Sequence, residues 1–74
     1  MIFCWLVELR GGETLQYYEG PGADAGVMLT EDPWLAMRFE EESTAQLIGD
    51  SIAIWLEGPR VATRHAFEPN NQGN

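Results

Sequence analysis

The groups in this 74-residue sequence that could do chemistry are twelve carboxylates, one cysteine and one histidine. Five of the carboxylates lie in "LTEDPWLAMRFEEE", residues 29–42: Glu31, Asp32, Glu40, Glu41 and Glu42. Paired acids cleave glycosides when they face each other across a cleft, and a chain this short has little material from which to build one. A calcium loop needs oxygen ligands at fixed positions around a turn glycine, and "TEDPWLAMRFEE" sets Trp34 and Leu35 where those groups belong. Helix capping and compensation of the helix dipole account for Asp32 and for part of Glu40 to Glu42. Cys4 and His65 could imitate a thiol nucleophile with its base if neighbouring strands carry them. Cys4 sits in an apolar stretch, however, where a small buried hydrophobe is the commoner role. One cysteine and one histidine cannot supply a tetrahedral zinc site unless carboxylates or a second subunit contribute. Neither Ser43 nor Ser51 lies in a Gly-x-Ser-x-Gly elbow, and "GPGADAG" (residues 20–26) lacks the spacing of a phosphate-cradling loop. The residues therefore predict no catalytic set, no metal and no cofactor.

Formal charge is −8, from twelve acids against four arginines, with no lysine. Such a surface repels a phosphate backbone and favours basic partners; it predicts no direct nucleic-acid binding but allows docking on a nucleic-acid-binding protein. The same charge also serves simple solubility. A hydrophobic content of 45% with eight aromatic residues argues that the chain folds. At this length burial and conformational entropy nearly cancel, so a homodimer or a larger partner that covers apolar surface is physically reasonable. A lone cysteine excludes an internal disulfide. The apolar start "MIFCWLVEL" lacks the basic flank of a signal peptide and is too short to span a membrane, so a cytoplasmic address is expected.

These groups must be positioned by a small set of elements. Residues 2–9 alternate as a strand, with Phe3, Trp5, Val7 and Leu9 on one face and Cys4, Leu6 and Glu8 on the other. Gly11 and Gly12 turn the chain into a returning strand, "TLQYYE" (14–19). A connection of odd length, pairing Leu9 with Leu15 and Val7 with Tyr17, would bring like faces together. Val27 to Thr30 is read as a short third strand or the end of the second. Asp32 followed by Pro33 matches a cap and first position of a helical turn running to about Arg38. In that turn Leu35 and Phe39 would face the core, and Arg38 would stack on Trp34. Residues 40–58 read as one long helix with Ala45, Ile48, Ile52, Trp55 and Leu56 on its stripe; a helix ended by Gly49 and followed by a strand is the alternative. Residues 59–68 return to alternation, with Val61, Thr63, His65 and Phe67 on one face, and 69–74 read as a frayed tail. The expected fold is α+β, in the order β-β-(β)-α-β: one domain over residues 1–68, with an antiparallel or mixed sheet of three to four strands packed against one main helix.

The order of a strand, "MLTEDPWLAMRFEEESTAQLI" and "PRVATRHAFE" resembles a loose group of very small phage or prophage accessory proteins. Thr30, Asp32, Pro33, Ala36, Phe39, His65 and Phe67 carry the resemblance, which covers residues 28–68. The interruption at 49–51 and the tail after Pro69 depart from it. The resemblance implies a bacterial host for the cytoplasmic address and stoichiometric blocking of a host complex, including anti-CRISPR or anti-restriction inhibition by filling a basic nucleic-acid groove.

The expected function is therefore a non-enzymatic interaction protein whose partner is a protein with a basic surface. Glu31, Asp32, Glu40, Glu41, Glu42, Asp50 and Glu57 would supply the charge and Trp34 the apolar anchor. The rival readings are a small structural subunit that forms a homo-oligomer, and a Cys4/His65 hydrolase.

Overall fold

A computed structural model describes residues 2–23, 26–52 and 58–67. The expected tail at 69–74 lies outside them, as do Glu57 and the expected stripe residues Trp55 and Leu56. Among the described residues the chain forms β1 (Ile2–Leu9), β2 (Gln16–Pro21), β3 (Val27–Thr30), α1 (Glu42–Ser51) and β4 (Arg60–Phe67). The strands make one antiparallel sheet in the order β3-β2-β1-β4. This is the expected α+β fold with its β-β-β-α-β sequence of elements.

β1 is central because both of its faces are apolar. Val7 and Leu9 join Tyr18, Ala62, Ala45 and Ile52 on the face that α1 covers. On the opposite face Leu6 joins Tyr17, Ala36 and Phe67, with Cys4 against them. Leu6 and Val7 are both wholly buried, and each such side chain returns about 1.5–3 kcal/mol of burial free energy.

The hairpin register differs from the expected one. Glu8 faces Tyr17 and Leu9 faces Gln16, so Arg10 to Leu15 form the connection and Leu15 is 46% exposed. The pattern "LQYY" misleads because Tyr17 and Tyr18 are both buried, one on each face. Alternation alone then cannot choose the register. β1 and β2 pair only at these two positions. Beyond them residues 37–39 fill the gap: Met37 N–H donates to the Tyr18 carbonyl (3.0 Å), Trp5 N–H to the Phe39 carbonyl (2.7 Å) and Phe39 N–H to the Trp5 carbonyl (2.9 Å). The chain crosses here from the Leu6 face, where Ala36 is buried, to the Val7 face, where Met37 and Phe39 pack.

α1 ends in a cap at Ile52, earlier than the helix expected over 40–58. Gly49 stays inside it. A Cβ there would lie 3.4 Å from Val7 Cγ1 and 3.6 Å from Arg60 Cβ, ordinary van der Waals contact; burial of Ala45 and Ile52 against the sheet overrides the roughly 1 kcal/mol helical cost of glycine. Gln46, one turn earlier, reaches over the sheet margin: its amide donates to the Arg60 carbonyl (3.3 Å) and accepts from Ala62 N–H (3.1 Å).

At Gly58 the backbone has φ +93°, and a Cβ would stand 2.6 Å from the Gly11 Cα. Gly58→Ala is accordingly expected to destabilise the fold by about 1–3 kcal/mol from backbone strain alone. The clash with Gly11 adds to that. A denaturant titration reads it as a lower midpoint, and an unchanged midpoint would contradict the close approach of the two turns.

Candidate functional site

The carboxylates of interest flank the connection between β3 and α1. At its start Thr14 Oγ1 donates to Glu31 (2.9 Å), and Asp32 N–H donates to Thr30 Oγ1 (3.0 Å). Asp32 Oδ1 accepts from Trp34 N–H (2.9 Å), while Leu35 N–H reaches the Asp32 carbonyl (3.0 Å) and Ala36 N–H the Pro33 carbonyl (3.4 Å). Asp32 thus caps as expected, with Pro33 supplying the φ of the first turn residue. What it caps is a single turn, after which the chain extends through residues 37–39 to bond β1 and β2.

That early end corrects the expected core pair. Leu35 is 60% exposed and Ala36 takes the buried position, while Phe39 joins the core through its bridge to Trp5. Spacing of four places Leu35 and Phe39 together only in a continuing helix. Leu35 therefore becomes a surface residue that pattern reading missed. Its only sequence signal is the small Ala36 beside it.

Trp34 stands edge-on to Phe67, with centroids 4.6 Å apart, and remains 42% exposed. The Arg38 guanidinium lies 4.1 Å from the Phe67 ring centre and 5.1 Å from that of Trp34, and donates to the Trp34 carbonyl. The expected Trp34–Arg38 stack is present, with Phe67 as a second ring. Arg38 so placed holds the indole rather than neutralising an acid.

The other arginines are also committed. Arg10 pairs with the buried Glu8, Arg64 lies over the Phe3 ring, and Arg60 donates to the carbonyls of Gly49 and Gly58. Glu31, Asp32, Glu40, Glu41 and Glu42 are all exposed, and no ion pair joins them to an arginine among the described residues. Glu41 is the α1 N-cap position and Glu42 lies in the first turn, where negative charge meets the positive helix end. The result is an apolar knob, Trp34 and Leu35, flanked in the chain by uncompensated charge.

Asp50 does not join this group. It lies near the far end of α1, eight residues or about 12 Å from Glu42 along the axis, where Gln46 donates to it. Glu57 lies outside the described residues. No three of the described Asp, Glu, His or Cys residues converge as metal ligands would.

Cys4 and His65 do meet. They are direct partners across β1 and β4, about 5.5 Å apart between Cα atoms for such a pair. The imidazole Nε2 is taken up by Thr63 Oγ1 (2.9 Å), and its ring meets the edge of Tyr17 at 5.5 Å. No hydrogen bond joins the thiol to the imidazole, and no pocket opens among the described residues. The pair is part of the aromatic covering of the Leu6 face.

Burial pushes the Tyr17 phenol above its ordinary range, and the Glu8 carboxylate opposite adds to the shift. The fold favours the neutral phenol, so the unfolded chain gives up this proton at lower pH. Stability from this group is complete below the ordinary phenol value and is lost as pH rises from there towards the raised one. Melting temperature is expected to fall in that alkaline window, and less steeply in Tyr17→Phe. An identical alkaline decline in both proteins would contradict it.

Comparison with family models, curated proteins and solved structures finds no match for this chain. No helix among the described residues is long and apolar enough to cross a membrane.

Proposed function

We propose that this chain is a non-enzymatic interaction protein that docks its β3–α1 connection on a basic surface of another protein and blocks it. One observation carries the reading. Every arginine is engaged away from Glu31, Asp32 and Glu40 to Glu42, while Trp34 and Leu35 stay exposed between them. Carboxylates that no arginine neutralises among the described residues steer encounter with a basic surface, and an aromatic held in place anchors the complex at small entropic cost. A nucleic-acid-binding groove of a host or phage complex has the required Lys/Arg chemistry, and occlusion needs no catalytic group.

Affinity capture from a bacterial lysate tests the proposal, with a variant carrying Glu40→Gln, Glu41→Gln and Glu42→Gln run in parallel. The expected result is a basic partner retained by the native chain, released by salt and depleted in the variant. Equal, salt-insensitive capture by both would overturn it.

A further inference from the structure

A second surface lies at the outer margin of β4. The direction of every peptide group in this strand follows from three contacts. Trp5 spends both its N–H and its carbonyl on Phe39, so it bonds away from β4. Arg10 N–H donates to the Pro59 carbonyl (3.1 Å), so the even-numbered residues of β1 bond towards β4. Ala62 N–H is taken by Gln46 rather than by β1. In an antiparallel ladder the inward and outward groups alternate by residue; Arg60, Ala62, Arg64 and Ala66 therefore point their peptide groups outward.

Gln46 closes half of this margin. Its side-chain amide donates to the Arg60 carbonyl and accepts from Ala62 N–H, as the peptide group of a neighbouring strand would. The Ala62 carbonyl and both peptide groups of Arg64 and Ala66 have no such cover among the described residues. Arg64 and Ala66 are exposed. An open edge of this kind is a template for an added strand.

The side chains define what fits. Residues 58–67 contain Arg60, Arg64 and His65 and no acid, in a chain that holds twelve acids elsewhere. Arg64 rests on Phe3, which is 50% exposed and lies opposite Ala66. An antiparallel strand that sets a carboxylate opposite Arg64 would place the residue two positions before it opposite Ala66. A large apolar side chain there can cover the small alanine and reach Phe3.

We infer that the β4 edge binds an extended segment of a partner protein, by strand addition, with the pattern apolar-x-acidic. Arg64 selects the acid and Phe3 with Ala66 receives the apolar residue. The site presents the opposite charge to the acidic connection.

The probe is a capped peptide, Thr-Thr-Ile-Thr-Glu-Thr-Thr, titrated into the full chain while backbone amide resonances and their hydrogen exchange are followed. Slowed exchange and saturable shifts at the Arg64 and Ala66 amides are expected, with several-fold weaker binding of the Glu→Gln peptide. Arg64→Glu should reverse the preference towards a Glu→Lys peptide, and Ala66→Pro, which deletes an outward donor without touching the β1 ladder, should weaken both. Shifts elsewhere, or none at saturating peptide, would overturn the inference. So would protection of the same amides by increasing protein concentration alone, which would assign the edge to a second copy of this chain.

Discussion

Replacing Leu6 by alanine is expected to lower the unfolding free energy by about 2–5 kcal/mol, enough to unfold much of so small a domain. Leu6 is fully buried on the sheet face that α1 does not cover. Its cover comes from Tyr17, Ala36, Phe67 and Cys4, brought together by β2, β4 and the crossing connection. Truncation leaves a cavity that two strands and a pinned turn cannot collapse to fill. Leu47→Ala is the control: that side chain is 65% exposed on α1, so its loss should change stability by within about 0.5 kcal/mol. Equal, small effects at both positions, read by denaturant titration, would show that the second face is no core.

The other large effect concerns binding. Removing the charges of Glu40, Glu41 and Glu42 is expected to weaken the complex with a basic partner by about tenfold or more, equivalent to about 1.4 kcal/mol. Most of the loss should appear in the association rate and shrink at high salt, because exposed charges act mainly by steering. Stability of the free protein should change little, since relief of repulsion among three adjacent exposed carboxylates is offset by loss of the negative charge that Glu41 and Glu42 place at the positive end of α1. Trp34→Ala should act differently. It deletes an anchor and leaves Arg38 without one of its two rings, so the complex should dissociate faster with its salt dependence preserved.

Elements with one dominant pattern were legible in the sequence. β1 shows aromatic and β-branched residues at period two, which gives 2–9 to the residue, and the two faces of β4 follow in the same way. β3 has four residues, too few for such a pattern, and the sequence leaves it open as a third strand or the end of the second. Where both alternatives bury aromatics, pattern reading failed. Tyr17 and Tyr18 satisfy either register, and the choice was made by residues 37–39, which enter the sheet from far along the chain. The Leu35–Phe39 spacing failed for a related reason: the turn stops after one cycle because its next residues gain strand-type hydrogen bonds to Trp5 and Tyr18. Tertiary pairing there overrides a local helical preference.

The candidate site was legible in part. Asp32 as a cap and the stack of Arg38 on Trp34 follow from neighbours close in sequence, whose geometry one turn determines. That no arginine pairs with Glu31, Asp32 or Glu40 to Glu42 among the described residues could not be read, because it depends on where Glu8, Phe3 and Phe67 lie relative to the arginines across strands. Asp50 looks like one more charge in the sequence, yet the length of α1 carries it away from the others.

The most direct test compares two triple variants of equal charge against the captured partner. One carries Glu40→Gln, Glu41→Gln and Glu42→Gln at the connection. The other carries Glu13→Gln, Glu19→Gln and Asp50→Asn, outside it. Kd measured across a salt series should rise about tenfold for the first and change little for the second. Equal losses in the two would show that net charge alone drives binding, and no loss in either would remove the acidic connection from the interface.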